Sequence, residues 1–349
     1  MTPQALYIDA LKKLQSRIHL DSDEAELLLK SIFDQQLSEI QMAALLTALA
    51  VKGESVEEIV GFARGMRRFA VPLKHKQLLL VDTAGTGGDA SGTFNISTAA
   101  AFVIAGAGVP VAKHGNRAMS GTCGSADVLG HLGVNLEAPP SVLENCLASC
   151  GITFLFAPLF HPAMKTVSKV RRELGVRTVF NLLGPLLNPA GARRQIVGVF
   201  SLALTEKLAE ALRQLHCERA LIFSGEDGLD EISLEGRTQV TELHGGTFKT
   251  ESVVPEDFGL TRRKRADLQG GDVAQNARIL REVLENRGSE AQQDIVLLNA
   301  AAGIYVAGAA RSVAEALTVA RASLSSGQAL TKLNQLVKLT SQSLAESAL

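Results

Sequence analysis

The sequence lacks most of what would commit it to a membrane, to nucleic acid or to an oxidising compartment. Its net charge is −1 over 349 residues, so no global field marks a nucleic-acid or membrane partner. It has four cysteines, Cys123, Cys146, Cys150 and Cys217. None is paired at C-x-x-C spacing, and they read as reduced thiols of a cytosolic protein. Long apolar runs are missing as well. The longest, Ile96 to Ala112, is interrupted by Gly106, Gly108 and Pro110, and is too short and too broken to span a bilayer. The first residues are amphipathic, with Asp9, Lys12 and Lys13, and lack the apolar core of a signal peptide. Internal repeats and long low-complexity segments are not found. What remains is a 46% hydrophobic chain, long enough for two domains, with the expected location of a soluble cytoplasmic protein.

Residues 1 to about 70 read as helices only. Leu6, Ala10, Leu11, Leu14 and Ile18 recur at helical spacing. Three capping boxes follow, Asp21 with Glu24, Ser38 with Gln41 and Ser55 with Glu58, each ahead of an apolar-periodic run. From about residue 78 the pattern becomes strand, turn, helix, strand. Strands are expected at Leu78–Val81, Val109–Ala112, Ile152–Phe156, Gln195–Phe200 and Ala220–Phe223. Helices are expected at Ser141–Cys150, opened by Ser141 with Glu144, and at Leu204–Leu215. Such alternation predicts an α/β domain with a mostly parallel sheet. Pro162 begins another helix that ends near Gly175, with Arg171, Arg172 and Arg177 on it or just past it. The stretch around it is expected to pack with the N-terminal helices. Four more helices are expected over Asp272–Leu284, Asp294–Ala307, Ser312–Leu324 and Leu330–Leu339, the third with a capping box of Ser312 and Glu315.

The organising stretch is Val81-Asp82-Thr83-Ala84-Gly85-Thr86-Gly87-Gly88-Asp89, between a predicted strand and a helix expected to start near Ser97. Glycines let backbone N–H groups face an anion, and a helix N-terminus capped by Ser97 or Thr98 attracts phosphate. A tight turn with glycine for steric reasons is the other reading. The stretch lacks the Gly-Lys-Ser/Thr ending of a Walker A loop. It matches a dinucleotide fingerprint only loosely, because the following strand leads into Lys113-His114-Gly115-Asn116-Arg117 and not into an acid. A basic cluster there suits further phosphate oxygens, so a multiply charged phosphate compound is expected.

Six segments together resemble the anthranilate phosphoribosyltransferase family: Gly85–Asp89, Asn95–Thr98, Lys113–Ala118, Gly124–Asp127, Arg171–Gly175 and Gly228–Ser233. They stand in the family's order over nearly the whole chain. The resemblance implies a nucleoside-phosphorylase-like α/β fold, with a small helical domain at residues 1–72, joined by helices from about 161–186. The larger domain would be residues 73–349, holding phosphoribosyl pyrophosphate on a mostly parallel sheet. It implies transfer of phosphoribose from that compound to the amine of anthranilate in tryptophan biosynthesis, with Mg2+, by a homodimer. Phosphoribosyl pyrophosphate would be bound by Gly85, Gly88, Asp89, Thr93, Asn95, Ile96, Ser97, Thr98, Lys113, His114, Gly115, Asn116, Arg117, Ala118, Met119, Ser120, Gly121 and Ser125. Anthranilate would be bound by Gly85, Asn116 and Arg171, and the metal by Ser97, Asp230 and Glu231. Arg171 can grip a planar carboxylate with two hydrogen bonds, which lysine cannot. His114 either touches anthranilate or is a polar residue at a strand end. No general acid or base is implied, since an aryl amine is neutral at cell pH. Ala84, Met119–Cys123 and Thr166 depart from the usual family pattern. Two rivals are a pyrimidine nucleoside phosphorylase of the same fold and a non-enzymatic nucleic-acid-binding relative. Only the basic run Thr261-Arg262-Arg263-Lys264-Arg265 favours the second, and such a run is usually a solvated face.

Overall fold

A computed structural model describes residues 2–76, 79–89, 91–118 and 123–346. The chain opens with four helices, α1 (Pro3–Gln15), α2 (Ser22–Phe33), α3 (Glu39–Lys52) and α4 (Val56–Arg68). All three expected capping boxes form here. Glu58 does more than close its box: buried, it also accepts from the Leu20 N–H (3.0 Å) and from Lys52 Nζ (2.8 Å), tying three connections together. Ile18 departs from the expected helical repeat. Arg17 takes a left-handed φ of 59°, which ends α1 and leaves Ile18 55% exposed.

The α/β region then runs β1 (Val81–Gly85), α5 (Ile96–Gly106), β2 (Val111–Gly115), α6 (Ser125–His131), α7 (Pro140–Cys150), β3 (Ile152–Phe156) and α8 (Ala157–Phe160). It continues with α9 (Lys165–Leu174), α10 (Phe180–Leu183), β4 (Arg194–Gly198), α11 (Leu204–Gln214), β5 (Arg219–Gly225), β6 (Thr238–His244) and β7 (Thr247–Val253). Four helices close the described chain: α12 (Val273–Leu284), α13 (Glu290–Val306), α14 (Val313–Ser325) and α15 (Gln328–Glu346). α7 is not opened by Ser141. Pro139 and Pro140 start it, their fixed φ being suited to a first turn, and Glu144 instead accepts from the Lys74 N–H (3.0 Å). Likewise α13 starts earlier than Asp294, at a Ser289–Gln292 capping box.

One sheet of order β3-β2-β1-β4-β5-β6-β7 carries the region; β3 to β5 are parallel, and β6 and β7 are antiparallel. Side chains alternate across it. In β5, Leu221 and Phe223 enter a core with α5 and α12 to α15, while Ala220 and Ile222 enter a second core with the N-terminal helices, α9 to α11 and the far sheet face. The result is a three-layer arrangement. β1 and β2 lie further along the chain than expected, because each carries polar residues into a buried strand. Asp82 and Thr83 in β1, and Lys113 and His114 in β2, are all buried, and they bond across the two strands: Asp82 Oδ1 accepts from the His114 N–H (3.0 Å), and Lys113 Nζ donates to Thr83. Among the described residues no helix is long and apolar enough to cross a membrane.

Candidate functional site

The chain leaves β1 toward β2 and β3 on one side, then returns to lay β4 on the other. The carboxyl ends of β1 and β4 therefore flank the point where strand order reverses, the usual ligand crevice of such sheets. Gly85 pairs with Gly198 there, and the Thr86 N–H donates to the Gly198 carbonyl (2.9 Å). The loop after β5 crosses this crevice. A Cβ added to Gly198 would lie 1.7 Å from the Asp230 carbonyl oxygen, and one on Gly85 would lie 3.2 Å from Asp230 Oδ2. Small residues at both strand ends thus let Asp230 settle over the sheet.

α5 begins at Ile96, with Asn95 at its cap position making no side-chain cap bond. Neither Ser97 nor Thr98 caps it. Instead the Ser97 N–H donates to Glu231 Oε1 (3.0 Å), so a carboxylate from 134 residues away serves the helix N-terminus. Burial pushes the Glu231 carboxyl well up, with Asp230 as the next cause. Burial also raises Asp230, to about 7, reinforced by the facing Asp89 carboxyl. Three acids crowded at a helix start, with a serine hydroxyl beside them, are short of positive charge.

Lys113 supplies part of it, from below. Its ammonium is buried and donates to Thr83 O, to Thr83 Oγ1 (3.1 Å) and to Ser97 Oγ (3.3 Å). Those three acceptors use its three protons. Burial lowers its pKa against the pull of Asp82, Glu231 and Asp230. Lys113 therefore acts on this crevice through Ser97 and through its field. Arg117 pairs with Asp127 Oδ1 (3.0 Å), and the Ala118 and Gly124 N–H groups donate to Asp127 Oδ2 (3.1 and 3.0 Å), a brace for the segment before α6. Ser125 Oγ donates to the carbonyl of exposed Asn116 (3.3 Å) and lies where a Cβ on Gly115 would fall. Thr93 and Ser91 share a hydroxyl contact (3.1 Å) on the connection to α5. Met119, Ser120 and Gly121 lie outside the described residues.

A second group gathers around α10. His114 Nδ1 meets the Gly184 carbonyl (3.1 Å), which makes it the protonated nitrogen, and leaves Nε2 buried with no partner among the described residues. Its ring meets that of His161 edge-on, 5.1 Å between centroids. Burial lowers His114 to about 4 and His161 to about 3, so both are neutral at neutral pH. Arg171, on α9, lays its guanidinium 5.2 Å from the centre of the Phe180 ring. Burial alone lowers its pKa, and it has no ion-pair partner among the described residues. A partly desolvated cation beside neutral aromatic walls suits a planar aromatic anion. Arg172 is exposed.

Two contacts were not anticipated from the sequence. Asn299, buried in α13, accepts from the Ile232 N–H (3.0 Å) and donates to its carbonyl (3.3 Å), pinning the chain just past Glu231. A lone amide in the apolar run Leu297-Leu298-Asn299-Ala300 was the available signal. Arg177 reaches the Gly88 carbonyl. The basic run is engaged within the protein: Arg262 with Glu256, Arg263 with Glu290, and Arg265 with the Asp227 carbonyl. A cavity of about 410 Å³ lies at the opposite end of the strands, between Arg194, Glu218, Arg219 and His244. Its two arginines are already held by Glu218, Glu242 and the end of α13.

Residues 8–70 match the helical bundle domain of the glycosyl transferase family, and residues 77–330 match that family's a/b domain. An anthranilate phosphoribosyltransferase from Rubrobacter xylanophilus is 53% identical over 332 residues, 95% of this chain and 97% of that protein. The crystal structure of anthranilate phosphoribosyltransferase from Thermus thermophilus superposes with a TM-score of 0.90 at 44% identity, covering 95% of this chain and 99% of that one. The Saccharomyces cerevisiae enzyme in complex with PRPP and Mg gives 0.88 at 31% identity, covering 97% and 98%.

Proposed function

The chain belongs to the anthranilate phosphoribosyltransferase family, and we propose from its site how it works. The reaction transfers the phosphoribosyl group from phosphoribosyl pyrophosphate to the amine of anthranilate, giving N-(5-phosphoribosyl)anthranilate and pyrophosphate, in tryptophan biosynthesis. The observation that carries this reading is the meeting of a glycine loop, a helix start and an acid cluster at the sheet's switch point, together with a partly desolvated arginine on α9 that has no acid partner among the described residues.

The Gly85–Asp89 loop and the first turn of α5 would receive the pyrophosphate through N–H groups. Lys113 to Gly121, with Ser125, would wrap the phosphoribosyl part, Met119 to Gly121 lying outside the described residues. Arg171 would take the anthranilate carboxylate in a bidentate pair, with Asn116 and Gly85 along its edge and the His114–His161 wall beside the ring. These groups would align the amine with the anomeric carbon. No side chain is assigned as acid or base, because a neutral aryl amine needs none.

The acid cluster fits Mg2+. Among the described residues no three His, Cys, Asp or Glu stand together as a complete metal site. Magnesium, however, takes one or two carboxylates and fills its shell with water and phosphate oxygens. The crowded carboxyls of Asp230 and Glu231, with Ser97, whose N–H meets Glu231, are the residues that would hold it. When bound, it would neutralise charge developing on the leaving pyrophosphate.

Homodimer formation belongs to the proposal. It is supported by Ile8, Ile18, Leu27, Ile40 and Val51, which stand exposed on the N-terminal helical part. A cytoplasmic location is proposed too, as is a helical part of residues 1–72 joined by helices from about 161–186, the latter supported by the buried core they share. The pairing of Arg262, Arg263 and Arg265 within the protein leaves the nucleic-acid alternative without its one supporting feature. The test is fluorescence-followed consumption of anthranilate by purified protein with phosphoribosyl pyrophosphate and Mg2+. Consumption should need all three. Binding of phosphoribosyl pyrophosphate without consumption would mean a different acceptor.

A further inference from the structure

Arg177 stands two residues past Gly175, whose left-handed φ of 63° ends α9. Its guanidinium lies between two surfaces. On one side is the Phe200 ring, just past the end of β4, with Cζ 4.0 Å from the ring centre. On the other is the glycine loop: a Cβ added to Gly88 would sit 3.6 Å from Nη2, 3.7 Å from Nε and 3.8 Å from Cζ. Nη2 donates to the Gly88 carbonyl. No acid pairs with Arg177 among the described residues, so this main-chain contact and the ring stack are what hold it.

The contact fixes an orientation. A trans peptide points its C=O and the next N–H in opposite directions. Drawing the Gly88 carbonyl toward Arg177 therefore turns the Asp89 N–H the other way. Gly87 and Gly88 both have positive φ, 61° and 78°, in a run of glycine where a peptide can rotate with little steric resistance. In the rotated state a carbonyl oxygen would face the anion in place of an N–H donor. The residues on either side are already tied to the acid cluster. The Gly87 amide and the Asp89 carboxyl both lie close enough to Asp230 to act on its carboxyl.

We propose that Arg177 is a positioning residue that holds the Gly88–Asp89 peptide in its anion-receiving orientation and so sets the affinity for the pyrophosphate end of phosphoribosyl pyrophosphate. The proposal rests on the assignment of the glycine loop to that substrate. Its physical basis is a charge-assisted hydrogen bond made by a planar group that, though exposed, is stacked on the Phe200 ring.

The experiment measures binding of phosphoribosyl pyrophosphate with Mg2+ by calorimetry, and both KM values, for wild type, Arg177→Ala, Arg177→Lys and Phe200→Leu. Arg177→Ala should weaken phosphoribosyl pyrophosphate binding roughly 10-fold or more, as loss of a charged hydrogen bond does. The KM for that substrate should rise in parallel, with the anthranilate KM within about two-fold of wild type on the same argument. Arg177→Lys should recover only part of the loss, since it keeps the charge without the stack, and Phe200→Leu should show a smaller loss of the same kind. Wild-type affinity in Arg177→Ala, equal damage to both KM values, or full rescue by lysine would each overturn the proposal while leaving the enzymatic reading in place. A wild-type protein that does not bind phosphoribosyl pyrophosphate would overturn both.

Discussion

Arg171 is a cation that the fold partly strips of water without giving it an acid. Burial lowers its pKa, and Phe180 lies against its guanidinium. Replacing it with Ala should raise the anthranilate KM roughly 10- to 100-fold with a smaller change in kcat, the range expected for a lost charged hydrogen bond. Lysine should not restore it, having one point charge where two parallel donors are needed. Steady-state kinetics with anthranilate varied at saturating phosphoribosyl pyrophosphate would decide, and an unchanged KM would remove Arg171 from the site. Replacing Asp230 and Glu231 together by Ala should lower activity by about 100-fold or more, since both metal-side oxygens and the crowding that favours a cation are lost. The remaining activity should respond weakly to Mg2+, and an unaltered magnesium titration would count against the metal assignment. His161 gives a proton-linked prediction. Its pKa is lowered from 6.5 to about 3 by burial. Below pH 6.5 the unfolded chain takes up this proton and the folded one does not until about pH 3, so the residue costs stability increasingly across that window and nothing above it. Thermal unfolding of His161→Asn should therefore improve relative to wild type as pH falls from 7 to 4.5. A difference independent of pH would show that His161 is not held neutral. Arg171, Asp230 and Glu231 could be proposed from the sequence because each stands in a short local segment resembling the family, whereas the buried, neutral state of His161 had no such signal. The contacts of Arg177 and Asn299 were not legible either, because their partners lie 89 and 67 residues away; the lone amide in its apolar run marks Asn299 but does not say what it binds.

At the scale of elements, the sheet and the chemistry share backbone atoms. β4 ends at Gly198, and the Asp230 carbonyl occupies the space a side chain would need. Gly198→Ala should push the Asp230–Glu231 loop away from the helix start. The expected outcome is a folded protein with kcat and magnesium affinity reduced together, read from kinetics and a circular-dichroism spectrum like that of wild type. Normal activity would mean that the loop can shift without consequence. The same end of the sheet explains where the sequence pattern misled. β3 fits its predicted limits because Ile152 to Phe156 is buried throughout and mostly apolar. β1 and β2 were placed too early because Asp82, Thr83, Lys113 and His114 break the apolar run, yet continue the strands by bonding to one another. That exchange between neighbouring strands has no counterpart in a one-dimensional pattern. β6 and β7 did have a signal, the Gly245-Gly246 pair at a two-residue hairpin turn with φ of 60° and 81°. Thr238 to His244 alternates too weakly in hydrophobicity to have drawn attention to it.

At the scale of the molecule, the helical part and the sheet share one interior. The family profiles divide the chain near residue 70, but the packing does not. Phe62 of α4 meets Phe180 of α10 edge-on at 6.1 Å, and Arg67 donates to the Leu186 carbonyl (2.8 Å) and the Leu215 carbonyl (3.4 Å). Phe62, Phe180, Leu183, Leu208 and Leu212 belong to the same buried core as the outer side of β4 and β5. Uncovering such side chains costs roughly 1.5–3 kcal/mol each, and a handful of them rivals the 5–15 kcal/mol that holds an ordinary domain folded. Deleting residues 1–72 should therefore leave a chain that does not keep the α/β fold in solution, although every strand remains. The expected result for residues 73–349 expressed alone is aggregation, or a soluble species that binds a hydrophobic dye and unfolds without a sharp transition. The full chain, handled identically, should melt cooperatively. A soluble, cooperatively melting 73–349 fragment would show that the sheet and its C-terminal helices stand alone. In that case the site's two halves, the glycine loop on the sheet and Arg171 beside the N-terminal helices, would be held together by less than this shared core implies.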